Sequence, residues 1–263
     1  MIIDVVNYSE YIPQSKVSGA TVIVIDVLRC TSCIITALNN GADSVTVFAG
    51  VEEARSYAQK LGRKNCVLGG ERHALPIDGY DVGNSPLQYD RARVAGKTVI
   101  MSTTNGARAI SGIKGSAATL IAASINHLAT ANEAALLGNN VLIVCSGTNG
   151  EVSADDIISA GAIVSDLTRI VPNLHTAPDS CTAPDSRIIP DIRITDAARI
   201  SMLAYTLAER GELNIKETDH GKYLMGLGES FIADIDYCFR ESIIDYVPRC
   251  IGMTDDNLGA IIR

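Results

Sequence analysis

Tryptophan is absent from this chain, phenylalanine occurs only three times, and lysine and arginine form no cluster with interleaved aromatic side chains. The formal net charge is -8. Because binding to a phosphate backbone needs a basic face, these features argue against a nucleic-acid partner. An acidic protein can still bind a small anion where local arginines, a cation and backbone amides dominate the site.

Long hydrophobic runs are also missing. No apolar run approaches the roughly 20 residues that span a bilayer, and residues 1–4 lack the basic and apolar regions of a secretory signal. The seven cysteines are an odd, scattered set, which favours reduced thiols over a disulfide framework. We therefore expect no membrane segment and a cytoplasmic location.

Strand-like and helix-like segments alternate through residue 170, which predicts an α/β protein. With 263 residues and 47% hydrophobic content, the chain can bury a full core. We expect a three-layer α/β/α fold with a largely parallel or mixed sheet and a more helical C-terminal part. The expected strands are Thr21–Asp26, Ser44–Phe48, Cys66–Leu68, Thr98–Met101, Thr119–Ala122 and Val141–Val144. The expected helices are Ser32–Asn40, Val51–Leu61, Gly106–Ile113, Asn126–Leu137 and Ser153–Val171.

Three parts of the chain differ in composition. Residues 1–171 form the expected α/β core. Residues 172–194 contain a tandem Thr-Ala-Pro-Asp-Ser repeat, whose prolines and small polar residues favour an exposed linker or insertion. Residues 195–263 are expected to be mainly helical, with amphipathic segments at 196–210 and 229–244, and to pack on the core.

Three strands are each followed by a small, polar loop and then a helix, at residues 26–32, 102–106 and 145–150. In open α/β sheets the ligand site lies at the carboxyl ends of the strands, where hydroxyls and free N–H groups bind oxyanions. Asp26 ends an apolar strand, and a carboxylate there is costly unless it is paired or binds a cation. It is a candidate metal ligand; a turn aspartate is the alternative.

Further candidate groups lie in neighbouring loops. Glu71 and Arg72 follow two glycines just after a short strand, although they could also form a surface ion pair. Asp81 and Asn84 belong to a long polar loop, which is usually functional in compact domains, but a plain turn is the alternative for both. Asp155 and Asp156 lie in the first turn of a helix, where they could serve the helix dipole alone or one of them could act as a ligand or base; of the two we select Asp156.

Several motifs carry less weight. Cys30 and Cys33 have the spacing of a redox pair but no partner pair, so we expect buried thiols. The four histidines have no metal-ligand spacing, and no phosphate-binding P-loop motif is present. Ser102 and Cys145 each lie at the end of an expected strand, beside a polar loop, and could act as nucleophiles. A covalent intermediate on one of them is the alternative to direct attack of water on a bound substrate.

Five ordered motifs carry a resemblance to a known family. They are Asp26-Val-Leu-Arg29 with Thr31-Ser32, Gly70-Glu71-Arg72 with Leu75-Pro76-Ile77, Asp81 with Gly83-Asn84-Ser85-Pro86, Thr103-Thr104-Asn105-Gly106 with Arg108, and Gly147-Thr148 with Gly150. Together they resemble the 2-phosphosulfolactate phosphatases. The resemblance implies a Mg²⁺-dependent phosphatase that converts 2-phospho-3-sulfolactate to 3-sulfolactate and phosphate, a step of coenzyme M biosynthesis. The Cys30 and Cys33 thiols and the tandem repeat depart from that pattern.

From these motifs we expect metal-assisted hydrolysis of a small anionic substrate, with a homodimer plausible. The expected catalytic residues are Asp26, Arg29, Glu71 and Asp156. The expected Mg²⁺ ligands are Asp26, Glu71, Asp81 and Asp156. The expected substrate-binding residues are Arg29, Thr31, Ser32, Arg72, Asn84, Ser102, Thr103, Thr104, Asn105, Gly106, Arg108 and Ser146. The alternatives are a phosphatase of another phosphorylated hydroxy acid and a non-catalytic module that binds sulfonate or phosphate.

Overall fold

The computed structural model of the protein describes residues 1–174 and 192–263. The strands are β1 Ile2–Val6, β2 Thr21–Ile25, β3 Ser44–Phe48, β4 Cys66–Arg72, β5 Leu75–Pro76, β6 Thr98–Ser102, β7 Ala118–Ala122, β8 Val141–Cys145, β9 Arg193–Ile194, β10 Cys250–Met253 and β11 Gly259–Ile262. The α-helices are α1 Gln14–Val17, α2 Cys30–Asn39, α3 Val51–Leu61, α4 Arg91–Val94, α5 Asn105–Ser111, α6 His127–Leu137, α7 Ala154–Leu174, α8 Asp196–Glu209, α9 Asp219–Gly226 and α10 Glu229–Cys238.

These strands form two sheets. The first has the order β7-β2-β8-β1-β9, and every pair in it is parallel. The second has the order β10-β11-β3-β6-β4-β5, in which β3, β6 and β4 are parallel and the remaining pairs are antiparallel. The central strands β2, β3 and β8 are buried along their whole length, as expected of strands covered on both faces.

Helices cover both faces of each sheet. Helices α2 and α5 contact strands of both sheets and therefore lie between them. Alternate side chains of β3 point to opposite sides, so that Val45 and Val47 join the main core while Phe48 joins a separate apolar cluster with Ala54 and Ala58 of α3. Helices α6, α7 and α8 pack on the first sheet. The expected three-layer α/β/α arrangement is confirmed, with the strands divided between two sheets.

The predicted elements through residue 174 agree with the structure to within a few residues at their ends. Several elements were not predicted, among them β1 at the N-terminus and the hairpin β10-β11, which adds to the second sheet through β11. The C-terminal part is mainly helical as expected, but α10 ends at Cys238, earlier than the predicted 244.

Some expectations remain open. The tandem repeat at 176–186 lies outside the described residues, and the domain division, the cytoplasmic location and the homodimer stay predictions. Of the helices that the structure describes, none combines the length and the apolar content needed to cross a bilayer. The cysteines in the described ranges have free thiols, as the scattered set predicts.

Candidate active site

One cavity of about 150 Å³ lies where the carboxyl ends of strands from both sheets meet. Asp26 follows β2 and Thr148 follows β8 in the first sheet, while Glu71 is the penultimate residue of β4 and Thr103 follows β6 in the second. Its lining is Asp26, Leu28, Arg29, Glu71, His73, Ala74, Asn84, Thr103, Thr104, Asn105, Thr148, Asn149, His220, Tyr223 and Leu224. We call it the site cavity. The three polar loops predicted from the sequence all contribute to it.

Asp26 is a buried carboxylate that lines the site cavity. Its Oδ1 accepts a hydrogen bond from the Cys30 backbone N–H at 3.3 Å. Burial raises the pKa of Asp26 to about 6; the hydrogen bond from Cys30 opposes the shift, and the charge of Glu71 adds to it. Asp26 and Glu71 are therefore close enough to repel each other when both are ionised.

Glu71 connects two loops at the rim of the site cavity. Its Oε2 accepts a hydrogen bond from the Ala74 N–H at 2.9 Å, and its Oε1 accepts one from the Thr104 N–H at 3.2 Å. These bonds hold the carboxylate between the β4-β5 turn and the loop after β6. The second sheet thus supplies one of the two carboxylates and the first sheet supplies the other.

Arg29 lines the site cavity, but its guanidinium is already engaged. Its Nη1 lies 2.6 Å from Asp234 Oδ2, its Nη2 donates to the Ala74 carbonyl at 2.7 Å, and the group stacks on Phe231. Asp234 also accepts a 2.5 Å hydrogen bond from the Ser85 hydroxyl. Arg29 therefore joins α10 to the loops of the site, and its positive charge is balanced by a buried partner.

His220 of α9 forms the opposite wall. Its Nδ1 lies 3.1 Å from Asp155 Oδ2 and 3.3 Å from Thr148 Oγ1. On the same helix, the Tyr223 hydroxyl donates to the His73 carbonyl at 3.1 Å, which ties α9 to the turn after β4. Helix α9 therefore covers the site cavity with side chains that come from more than 190 residues after Asp26.

Asn84 is buried against the site cavity, and its Oδ1 has no hydrogen-bond partner among the described residues. A buried amide oxygen without a partner costs free energy. An oxygen of this kind can be satisfied by a ligand, a cation or an ordered water. Asn84 is therefore a candidate for binding a ligand, a cation or a water in the site cavity.

Some of the predicted hydroxyl groups have structural roles. Thr31 Oγ1 donates to the Asp26 carbonyl at 2.9 Å, and Ser32 Oγ donates to the Val27 carbonyl at 2.8 Å, so both are used to shape the loop after β2. Ser102 is buried with its hydroxyl bonded to Gly50 and Arg72. In contrast, Thr103, Thr104 and Asn105 do line the site cavity.

Four other predicted residues have partners elsewhere. Arg72 bonds to the carbonyls of Glu71 and Ala49 and to Ser102, and Asp81 pairs with Arg63 at 2.8 Å. Arg108 is half exposed and lies 3.6 Å from Glu10. None of these, nor Ser146, lines the site cavity. The structure therefore brings together only part of the predicted substrate-binding set.

Asp156 lies behind the site cavity. Its Oδ1 accepts from the Val27 N–H at 2.9 Å, and its Oδ2 accepts from the Ser146 hydroxyl and the Gly147 N–H, both at 3.0 Å. Burial raises the pKa of Asp156, and the charges of Asp155 and Asp26 raise it further. Asp156 ties the loop after β2 to the loop after β8. Unlike Asp26 and Glu71, it does not line the site cavity, so the expected role of Asp156 as a metal ligand is not supported by its position.

The thiols are poorly suited to nucleophilic chemistry. Cys145 is fully buried at the end of β8, and burial raises its pKa, with a further contribution from Asp156. Burial likewise raises the pKa of Cys30 and Cys33, which belong to the main core. Because the thiolate is the reactive form, a raised pKa makes all three inert. The expectation of buried thiols in the Cys30-x-x-Cys33 motif is confirmed.

Gly106 allows α5 to approach the carboxylate closely. A Cβ at this position would lie 2.5 Å from Cys30 Sγ and 2.9 Å from Asp26 Oδ2. We expect Gly106→Ala to lower the free energy of unfolding by about 1–3 kcal/mol, because the added methyl overpacks a buried site. Urea denaturation measures this change.

A matched control is Gly226→Ala at the end of α9, where no atom lies within 4 Å of the position that the added methyl would take and φ is not positive. That variant is expected to keep or slightly raise the stability, since alanine is the better helix former. Equal stability of the two variants would contradict the close approach at Gly106.

Several site residues escape prediction from the sequence. Asp155 has the same place in the first helical turn as Asp156, and the sequence selects the other of the two. His220 lacks metal-ligand spacing, and Asp234 lies in the expected amphipathic segment at 229–244 with no further signal. In the sequence, each of them is visible only as a polar residue within a helical segment. Such a pattern is equally typical of a solvated helix face.

Comparison with known proteins identifies similar chains. A family model described as 2-phosphosulpholactate phosphatase matches residues 6–252. A protein of Clostridium beijerinckii is 37% identical over 249 residues, covering 95% of this chain and 96% of its own. Proteins of Clostridium tetani and Clostridium acetobutylicum are each 38% identical over 249 residues, covering 95% of this chain and 97% of their own. All three are named probable 2-phosphosulfolactate phosphatase.

Proposed function

The chain belongs to the 2-phosphosulpholactate phosphatase family, a family of phosphoric monoester hydrolases, and we propose that it hydrolyses 2-phospho-3-sulfolactate to 3-sulfolactate and phosphate. The observation that carries the proposal is that Asp26 and Glu71, from different sheets, line one cavity together with the polar loops after β6 and β8. The same reaction is a step of coenzyme M biosynthesis in the family that the chain resembles, and we propose that metabolic context for it.

The charges of the site cavity support a cation as part of this function. The substrate carries a phosphate, a sulfonate and a carboxylate, whereas Asp26 and Glu71 add negative charge and Arg29 is balanced by Asp234. Without a cation the two carboxylates would repel the substrate. A module that only traps an anion gains nothing from such carboxylates, so this arrangement favours a metal-dependent phosphatase over a binding module.

The residues present fit Mg²⁺. No group of three or more His, Cys, Asp and Glu in the described ranges is arranged to hold a metal ion. Mg²⁺, however, keeps several waters and is usually held by one or two carboxylates together with substrate phosphates. Asp26 and Glu71 would hold it, and the unpartnered Asn84 Oδ1 adds a neutral oxygen of the type that it accepts. When bound, Mg²⁺ neutralises phosphate charge and makes water more acidic.

The chain's own groups would position the substrate and the attacking water. Thr103, Thr104 and Asn105 line the second-sheet side of the cavity. The Thr103 hydroxyl and the Thr104 N–H are already bonded to Cys30 and Glu71, so the Thr104 hydroxyl and the Asn105 side-chain amide are the groups that can donate to oxyanions. Helix α9 covers the opposite side with Tyr223 and Leu224, which reduces access of bulk water. Since Ser102 and Cys145 do not line the cavity, direct attack by water is the mechanism that we propose.

The proposal is tested by measuring phosphate release from racemic 2-phospho-3-sulfolactate, phospholactate and p-nitrophenyl phosphate, each with Mg²⁺ and with EDTA. We expect release that depends on Mg²⁺ and is fastest with the sulfonated ester, because a divalent cation offsets the charge of the two carboxylates and of the phosphate. EDTA is expected to abolish turnover, and adding back Mg²⁺ to restore it.

The possible results separate the alternatives. Release from phospholactate that equals or exceeds release from the sulfonated ester would indicate another phosphorylated hydroxy acid as the substrate. Full activity in EDTA would contradict the role of Mg²⁺. If no ester releases phosphate, a binding module becomes the better interpretation, and isothermal titration with 3-sulfolactate would measure its affinity.

A further inference from the structure

Two buried histidine–aspartate pairs occur in the described part of the chain, and only one of them faces the site cavity. His220 Nδ1 lies 3.1 Å from Asp155 Oδ2, with side-chain exposures of 14% and 2%. His127 Nδ1 lies 2.7 Å from Asp166 Oδ2 and lines a different cavity. The two pairs have similar geometry but different locations, so His127 provides a matched comparison for His220.

The geometry leaves one ring nitrogen of His220 available. Asp155 and Thr148 both contact Nδ1, whereas Nε2 has no hydrogen-bond partner among the described residues. A carboxylate that accepts from one ring nitrogen fixes the orientation of the imidazole and stabilises its protonated form. His220 is thus oriented by one nitrogen and free to donate from the other.

The electrostatic surroundings favour a protonated His220. Burial lowers its pKa, but the hydrogen bond and charge of Asp155, together with the charge of Asp26, outweigh burial so that the pKa is raised. Arg29 acts in the opposite direction. These groups come from α7 and from the loop after β2; Glu71 and Tyr223 also line the cavity that His220 faces.

We propose that His220 is the general acid of the hydrolysis and that Asp155 is its positioning residue. The inference rests on the proposed phosphatase function. Water forms a new bond to phosphorus while the bond from phosphorus to the ester oxygen breaks. The proton on His220 Nε2 passes to the leaving alkoxide, which departs as an alcohol. The attacking water loses a proton, which returns His220 to its protonated state through solvent.

An alkyl phosphate needs such an acid more than an aryl phosphate does. The leaving oxygen of a hydroxy acid is a strongly basic alkoxide, so protonating it in the transition state contributes about 10²–10⁴-fold to the rate. A nitrophenolate is stable without a proton. The two kinds of ester therefore report separately on the acid and on the rest of the site.

The test compares wild type with His220→Asn on phospholactate and on p-nitrophenyl phosphate at saturating Mg²⁺. Asparagine retains a donor near Asp155 but lacks Nε2. We expect kcat for the alkyl ester to fall by about 100-fold or more and kcat for the aryl ester to fall by only a few-fold. Because the acid must be protonated, wild-type activity on the alkyl ester declines above the pKa of His220, and this alkaline limb is expected to vanish in the variant.

Two further variants complete the test. His127→Asn removes the matched histidine outside the site and is expected to leave the ratio of alkyl to aryl activity unchanged. Asp155→Asn removes the charge that raises the pKa of His220, so the alkaline limb should move to lower pH, and NMR titration of the His220 ring should show the same downward shift.

Equal losses on both esters in His220→Asn, or an unchanged alkaline limb, would overturn the acid role while leaving the phosphatase function intact. Absence of phosphate release from every ester with the wild-type protein would instead refute the proposed function, and the acid role with it. An unshifted His220 titration in Asp155→Asn would overturn the positioning role of Asp155, whatever the activity.

Discussion

Replacing Asp26 by asparagine is expected to lower turnover by about 10³-fold and, in the absence of metal at pH 8, to raise the stability of the protein. The loss of turnover follows from the position of Asp26 in the site cavity beside Glu71. Charge stabilisation by a bound divalent cation contributes several kcal/mol to a transition state, and each 1.4 kcal/mol corresponds to about tenfold in rate. Asparagine supplies an oxygen of similar size but no charge.

The gain in stability follows from the pKa of about 6 for Asp26, compared with 3.8 for the unperturbed carboxyl. A raised pKa in the folded state means that the protonated carboxyl favours folding. This contribution is fully present below pH 3.8 and is lost as the pH rises through about 6. A difference of roughly two between the folded and unfolded pKa corresponds to about 3 kcal/mol, which is the destabilisation that the neutral asparagine avoids at pH 8.

Thermal unfolding in EDTA from pH 4 to pH 8 measures this effect, and phosphate release with Mg²⁺ measures the activity. Asp43→Asn is the matched control, because Asp43 is exposed at the amino end of β3, and its removal changes the net charge equally. The control is expected to retain both activity and stability. A stability difference between Asp26→Asn and wild type that is the same at pH 4 and pH 8 would contradict the assigned pKa.

Replacing Asp234 by asparagine is expected to destabilise the protein by about 3–5 kcal/mol, because it leaves the buried Arg29 guanidinium without its counter-charge. The side chains of Arg29 and Asp234 are only 5% and 2% exposed, and their atoms approach to 2.6 Å. For a chain of this size the melting temperature should fall by roughly 10 °C. Urea denaturation measures the change in the free energy of unfolding.

The neighbouring Asp236 provides a control on the same helix. It pairs with Lys216 at 2.5 Å, but the two side chains are 59% and 36% exposed, so Asp236→Asn should change stability by no more than about 1 kcal/mol. The double variant Arg29→Met, Asp234→Leu removes both buried charges and is expected to recover much of the stability lost in Asp234→Asn. Comparable losses of stability in Asp234→Asn and Asp236→Asn would show that burial does not determine how much the Arg29–Asp234 ion pair contributes to stability.

Local sequence patterns predicted most of the α/β core. Helix α3 was predicted at its observed bounds because its amphipathic pattern begins after Gly50 and ends before Gly62. Strand β1 was not predicted, since its apolar residues are interrupted by Asp4. That carboxylate is accommodated by contacts with Lys16 and Thr195, which are distant in sequence. The hairpin β10-β11 was not predicted because its short strands are stabilised by pairing with β3, which is distant in sequence.

Local sequence patterns likewise predicted some residues of the candidate site and not others. Asp26 and Glu71 were recognised because a carboxylate at the end of an apolar strand or after paired glycines is unusual in its local context. Asp155 and Asp156 cannot be told apart by their local sequence. In the structure, Asp156 accepts from the Val27 and Gly147 amides, whereas Asp155 contacts His220. Adjacent residues on a helix point about 100° apart, so only the packing around α7 decides which of them contacts His220 of the cavity lining.

The sequence by itself determined the fold class, the polar loops at the strand ends and the family, because these depend on residue order and local periodicity. Only the tertiary structure decided which polar groups meet in one cavity. Arg29 is balanced by Asp234, and His220 is oriented by Asp155, through contacts that join residues 205 and 65 positions apart. Such contacts arise where α9 and α10 pack across the ends of two sheets, and no local pattern in the chain encodes that geometry.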